Sequence, residues 1–133
     1  MVKTIIFDIF GVFYKPKFLV AGTYDEKMIA LVKELKSKGL KVFAISNSFD
    51  SFAPLHEVFD KIYFAGEIGF YKPDPEALLY LLKKENLTPE ECVYFDDSKS
   101  NVDGGRKVLI PSFLFESVGE TTRVLKEEFK ISF

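Results

Sequence analysis

The chain has 133 residues, 47% hydrophobic and 16% aromatic, with 18 basic against 20 acidic side chains and a formal charge of −2. That is enough apolar material for one sizeable core and too little for two, so a single domain spanning 1–133 is expected. No basic stripe interleaved with aromatics offers nucleic acid a surface, and no run approaches the ~20 apolar residues of a membrane span. Asp8 interrupts the apolar N-terminal run too early for a signal peptide. Cys92 is the only cysteine, which excludes an internal disulfide and a cysteine-rich metal site. A soluble, cytoplasmic protein in a reducing compartment is the expectation.

In chain order, Lys3 to Phe7 reads as a buried strand that stops on Asp8, followed at once by Ile9-Phe10-Gly11-Val12. A loop, Ile9 to Tyr24, leads to an amphipathic helix, Asp25 to Lys38. It sets Met28, Leu31, Val32 and Leu35 on one face, and Gly39 stops it. Further strands are expected at Lys41 to Ile45, Lys61 to Phe64, Cys92 to Phe95 and Ser112 to Phe115. Helices fit Phe52 to Val58, Pro75 to Lys84, Ser100 to Lys107 and Val118 to Phe129. The last would pack Val124, Leu125 and Phe129 on the sheet. Strands alternating with helices imply βαβ units, right-handed crossovers and a parallel sheet, hence an α/β fold.

Four polar clusters each follow a strand-like run: Asp8; Ser46-Asn47; Lys72-Pro73-Asp74-Pro75; and Asp96-Asp97-Ser98 with Asn101. Open α/β sheets bind ligands at that carboxyl edge. Singly, each has a plain structural reading, since Lys-Pro-Asp-Pro starts helices and Ser-Asn-Ser makes turns. Two adjacent acids ending a strand are harder to explain without a cation or a function. In this order the clusters, from Thr4 to Leu109, resemble the haloacid dehalogenase superfamily of phosphohydrolases, with motifs like those of its IA subfamily. The resemblance implies a Rossmann-like, doubly wound parallel sheet in three α/β/α layers, with Mg²⁺ as cofactor. One departure stands out: the family's second motif-one acid falls two residues after Asp8, where this chain has Phe10.

Carried over by motif, Asp8 is the nucleophile that forms an aspartyl-phosphate, and Lys72 pairs with it and with the phosphoryl oxygens. The Ser46 hydroxyl and the Asn47 backbone N–H complete the phosphate cradle. Metal would be held by Asp8, Asp97 and the Phe10 carbonyl, with Asp96 and Asn101 in support. A phenyl ring at position 10 cannot protonate a departing alkoxide or activate water, help worth ~10²–10⁴-fold. The expected function is therefore a slow Mg²⁺-dependent phosphomonoesterase. The rival is a catalytically impaired binding or regulatory module. A metal-independent 2-haloacid dehalogenase is less favoured, because those enzymes lack the paired acids.

Only 37 residues separate Asp8 from Ser46, too few for a helical cap domain beside the helix and strand already placed there. The resemblance is thus to the capless branch, whose open sites suit a bulky or protein-borne phosphoester, or a homo-oligomer whose protomers roof one another. Phe13, Tyr14 and Phe18 in the loop would serve such an interface or else the core. His56 is expected at the surface, Lys15 and Lys17 in solvent, and Cys92 in the core as a small hydrophobe.

Overall fold

Strand β1, Thr4–Phe7, is buried at all four positions, as a strand covered on both faces must be. The computed structural model describes residues 1–49 and 51–133. After β1 come a hairpin of β2 (Tyr14–Lys17) and β3 (Val20–Tyr24), helix α1 (Glu26–Ser37), β4 (Lys41–Ser46) and β5 (Lys61–Phe64). A short helix α2 (Ala65–Ile68), then α3 (Pro75–Glu85), β6 (Cys92–Asp96), α4 (Lys99–Lys107), β7 (Ser112–Leu114) and α5 (Val118–Phe129) complete the described chain.

The main sheet is five-stranded in the order β5-β4-β1-β6-β7, and every pairing is parallel. Side chains alternate along β1 and so feed two cores. Ile5 and Phe7 join Met28, Val32 and Leu35 of α1 and Val124 and Leu125 of α5 on one face. Ile6 joins Phe43, Tyr94 and Ala77, Leu78, Leu81 and Leu82 of α3 on the other. The result is the three-layer, doubly wound arrangement expected. Helix ends follow their local chemistry: Asp25 accepts the Met28 N–H at 3.0 Å, and Asp74 accepts that of Glu76 at 3.0 Å ahead of Pro75. Among the described residues, no helix is long and apolar enough to cross a membrane.

Strand and helix positions match the sequence expectations within one or two residues, with three exceptions. Phe52 to Val58 is not a helix but a single 3₁₀ turn, Ala53–Leu55. Phe52 sits at φ +49°, in the left-handed region, and Pro54 removes a donor, so no α-helical ladder can run through them. Phe52, Leu55, Val58 and Phe59 nevertheless bury at helix-like spacing, which is what misleads a periodicity reading. The expected loop Ile9 to Tyr24 contains the β2–β3 hairpin, hidden by the Lys15-Pro16-Lys17 composition. The ladder shifts register between those two lysines, where a proline is tolerated. The third is α2, a single turn stopped by Gly69 at φ +86°. Of the loop aromatics, Phe13 is core, Tyr14 is half-buried and Phe18 stands 89% exposed at the hairpin tip.

Phe7 anchors the first core, with its ring edge-on to Phe13 at 5.3 Å and stacked on Phe95 at 5.5 Å. Phe7→Ala should cost about 3–5 kcal/mol in urea-induced unfolding. Phe18→Ala should leave the midpoint nearly unchanged, and equal losses for the two would contradict this packing.

Candidate active site

Three strand ends converge because the register makes them. Phe7 of β1 pairs with Ala44 of β4 and Phe95 of β6, so Asp8, Ser46 and Asp96 emerge together at one sheet edge. Asp8 keeps its place in the ladder, donating its N–H to the Phe95 carbonyl at 3.0 Å. The fourth component arrives from the loop between α2 and α3. There Asn47 clips the chain at both ends of one residue: its Nδ2 donates to the Lys72 carbonyl and its Oδ1 accepts the Lys72 N–H, each at 2.9 Å.

That clip aims a buried ammonium at the strand ends. Lys72 Nζ donates to Asp8 Oδ1 at 2.7 Å, to Asp96 Oδ2 at 2.9 Å and to the Ile45 carbonyl at 2.9 Å, which uses all three of its protons. Asp96 is fully buried. It also accepts from the Tyr94 hydroxyl, from Asn101 Nδ2 at 3.2 Å and, through Oδ1, from the Ser98 N–H at 3.0 Å. Asp97 is exposed beside it and faces the cleft. Ser46 is buried, and its Oγ accepts the Ser48 N–H at 3.1 Å.

The cleft has a volume of about 430 Å³ and is lined by Asp8, Phe10, Ser46, Asn47, Lys72, Asp97 and Asn101, with Ser48 at its rim. Each of the four clusters thus sends at least one residue to one space, while Asp96 lies buried behind it. Asp8, Asp96 and Asp97 each offer an oxygen within 4.8 Å of the others. Such a set of hard oxygen donors fits Mg²⁺. Because Asp96 is already engaged by four donors, Asp8 and Asp97 are the better-placed ligands. Burial raises the Asp8 carboxyl to about 7, against the pull of Lys72 and with Asp96 and Asp97 adding to the rise. Burial also raises Asp97.

Phe10 occupies the cleft wall with its ring 38% exposed, edge-on to Tyr14 at 5.6 Å and to Phe52 at 6.4 Å. No proton donor stands at that side-chain position. His56 lies outside this cleft, its Nε2–H donating to the Ser51 carbonyl at 2.6 Å. Lys15 and Lys17 are exposed on β2, and Cys92 is buried with its thiol pushed up to about 12 by burial.

Two site residues escape a sequence reading. A Cβ on Gly11 would lie 2.0 Å from Asp97 Oδ2, and Gly11 has φ +82°, so the turn after Asp8 admits the Asp97 carboxylate only because it is glycine. Tyr94 supplies a donor to Asp96 from the same face of β6, two residues earlier. The signal for it is the strand period of two, which aligns 94 with 96.

The family model for haloacid dehalogenase-like hydrolases matches residues 25–108. A phosphatase of Mycobacterium tuberculosis, Phosphatase MT3486, is 29% identical over 109 residues, 76% of this chain and 50% of its own length. An uncharacterised protein of Corynebacterium glutamicum superposes with a TM-score of 0.81 at 23% identity, over 100% of this chain and 98% of its own. A family enzyme of Bacteroides thetaiotaomicron, in complex with magnesium and inorganic phosphate, superposes at 0.75 with 14% identity, over 87% of this chain and 95% of its own. The fold and the ordered strand-end clusters define a doubly wound α/β core with a polar cleft at the carboxyl edge of its sheet. The chain belongs to the haloacid dehalogenase-like hydrolase family. It spans 22 to 50% of the length of the curated relatives compared, so activity is argued from the site itself.

Lys72→Ala would leave Asp8 and Asp96 buried without their cation. Removing one partner of a buried ionic cluster costs about 3–5 kcal/mol, and urea unfolding at neutral pH should show a loss of that size.

Proposed function

We propose that this chain is a Mg²⁺-dependent phosphomonoesterase working through an aspartyl-phosphate on Asp8. The observation that carries the reading is the buried Lys72 ammonium bridging Asp8 and Asp96 at the floor of a cleft that Asp97 also faces. A carboxylate meant to attack phosphorus must stay ionised despite burial, and the ammonium 2.7 Å away favours that state. The Asp8 carboxylate attacks phosphorus as the ester P–O bond breaks, and its electron pair leaves on the departing oxygen. Lys72, held by Asn47, offsets the charge accumulating on the phosphoryl oxygens. The Ser46 hydroxyl and the Asn47 backbone orient those oxygens. Water then attacks the phosphorus of the acyl phosphate, releasing inorganic phosphate and regenerating Asp8.

Mg²⁺ held by Asp8, Asp97 and the Phe10 carbonyl, with Asp96 and Asn101 behind them, would supply the positive charge a phosphate dianion needs to approach a carboxylate. The phosphatase relative and the family enzyme bound to magnesium and phosphate favour this reading. Between β1 and α1 the chain builds only the β2–β3 hairpin, so the cleft stays open. An open cleft suits a bulky or protein-borne phosphoester, or a second copy of the chain as its roof. The one buried cysteine suits a reducing, cytoplasmic setting.

Phe10 supports a second reading, a module that binds a phosphorylated ligand without turnover. Two measurements separate them. Hydrolysis of para-nitrophenyl phosphate, whose leaving group needs little protonation, should require Mg²⁺, stop with chelator and fall at least about 10³-fold in Asp8→Asn. Absence of turnover at high enzyme concentration would establish the second reading. Phe10→Asp should raise turnover of simple alkyl phosphates by about 10²–10⁴-fold, and no gain would mean the site lacks more than its acid.

A further inference from the structure

Beside the phosphoryl cleft lies a second one of about 310 Å³, lined by Phe49, Ser51, His56, Phe64, Gly66 and Glu67, with Ser48 shared between the two. Its surface is mainly apolar, and Phe49 stands 88% exposed over it. A run of rings, with the buried Phe52 in its middle, lies behind the two spaces. Phe10 on the phosphoryl side meets Phe52 at 6.4 Å, Phe52 stacks on Phe64 at 6.5 Å, and Phe64 meets His56 at 6.0 Å in the second cleft. Phe52 holds its link in that run from a left-handed backbone, φ +49°, a conformation that costs energy for an aromatic residue and marks a constrained position.

The chemistry at Phe10 limits what can leave from this site. An aliphatic alkoxide is about as basic as hydroxide, whose conjugate acid has a pKa near 15.7, and it departs poorly without a proton. A phenolate, with a conjugate acid near 10, departs with far less help. Phe10, on the wall that lacks a proton donor, packs on Phe52, which packs in turn on Phe64 of the aromatic cleft. Glu67 at that cleft disfavours a second anionic group there, which leaves a neutral ring as the matching occupant.

Resting on the phosphohydrolase reading above, we infer that the substrate is an aryl phosphate whose ring seats in the Phe49–Phe64 cleft while its phosphoryl group lies at Asp8. Ring recognition then compensates for the missing acid: the same aromatic group that fills the cleft makes the oxygen a competent leaving group. The two requirements select one substrate class.

Affinity tests this without turnover. Phenylphosphonate and methylphosphonate, titrated calorimetrically into the full chain with Mg²⁺, share the phosphonate and differ by the ring. Phenylphosphonate should bind about 10- to 100-fold more tightly, as burial of one ring predicts. That ratio should fall towards one in Phe49→Ala, a surface truncation. It should also fall in Gly66→Leu, which fills the cleft from a position where an added Cβ meets nothing closer than 3.9 Å. Equal affinities in the unaltered chain would overturn the aryl inference and leave the phosphoryl site standing. A ratio that survives both variants would overturn the placement of the ring. Binding of neither phosphonate would remove the phosphohydrolase reading and the inference together. A peptide carrying phosphonomethyl-phenylalanine identifies the source of the ring. Tighter binding than phenylphosphonate supports a protein-borne phosphotyrosine, and weaker binding supports a free aryl ester.

Discussion

A single ammonium in a nearly dry position organises this molecule. Lys72 Nζ touches two carboxylates and a carbonyl, and burying a charge without such partners would cost several kcal/mol. The constraint propagates outward, because a lysine reaching the sheet edge from a loop must have its backbone fixed. Asn47 clips that backbone from the end of β4. Asp74 and Pro75 begin α3 two residues later, so the loop has no slack. On the far side α4 presses so close that a Cβ on Gly104 would lie 2.7 Å from the Pro73 carbonyl oxygen. Four segments distant in sequence are thereby held by the requirements of one side chain.

The balance of charge at the cleft is incomplete. Among the described residues it joins three carboxylates to one ammonium, and Lys72 has no donor left for Asp97. The raised Asp8 carboxyl is the same imbalance expressed as proton affinity, since burial and two neighbouring acids outweigh one cation. A divalent cation at Asp8 and Asp97 would oppose it by favouring the ionised form of both carboxylates. The electrostatics of the donor set thus favour a metal independently of the family.

Much of the fold was legible because parallel strands covered on both faces are continuous apolar runs, and their ends are marked by the first polar residue. Asp8, Ser46 and Asp96 were visible for that reason. Lys72 was visible only through its place in an ordered series, since its own surroundings read as a helix start. The hairpin was not legible: Lys15, Pro16 and Lys17 carry no strand signature, and its stability comes from Tyr14, whose hydroxyl accepts the Gly22 N–H at 3.1 Å and whose ring packs on Tyr24. The turn at Phe52 misread as a helix because burial periodicity does not report backbone handedness. Gly11 matters through Asp97, a partner distant in sequence that no local pattern encodes, whereas Tyr94 is marked by the strand period that sets it on the same face as Asp96.

Phe10 is more than a missing acid. Its ring belongs to a packed series with Tyr14 and Phe52, so the hairpin, the turn after β4 and the mouth of the cleft share one apolar contact. The two sides of the site consequently obey opposite physics. Around Asp8, Lys72 and Asp96 polar groups are paired and charge is concentrated, whereas at position 10 the wall is built of rings that donate no proton. A carboxyl group placed at position 10 would sit against those rings, where desolvation favours the protonated form. The rings around position 10 thus suit a protonated carboxyl better than an ionised one. What stands at position 10 instead is a ring that backs, through the buried Phe52, onto Phe64 of the neighbouring cleft.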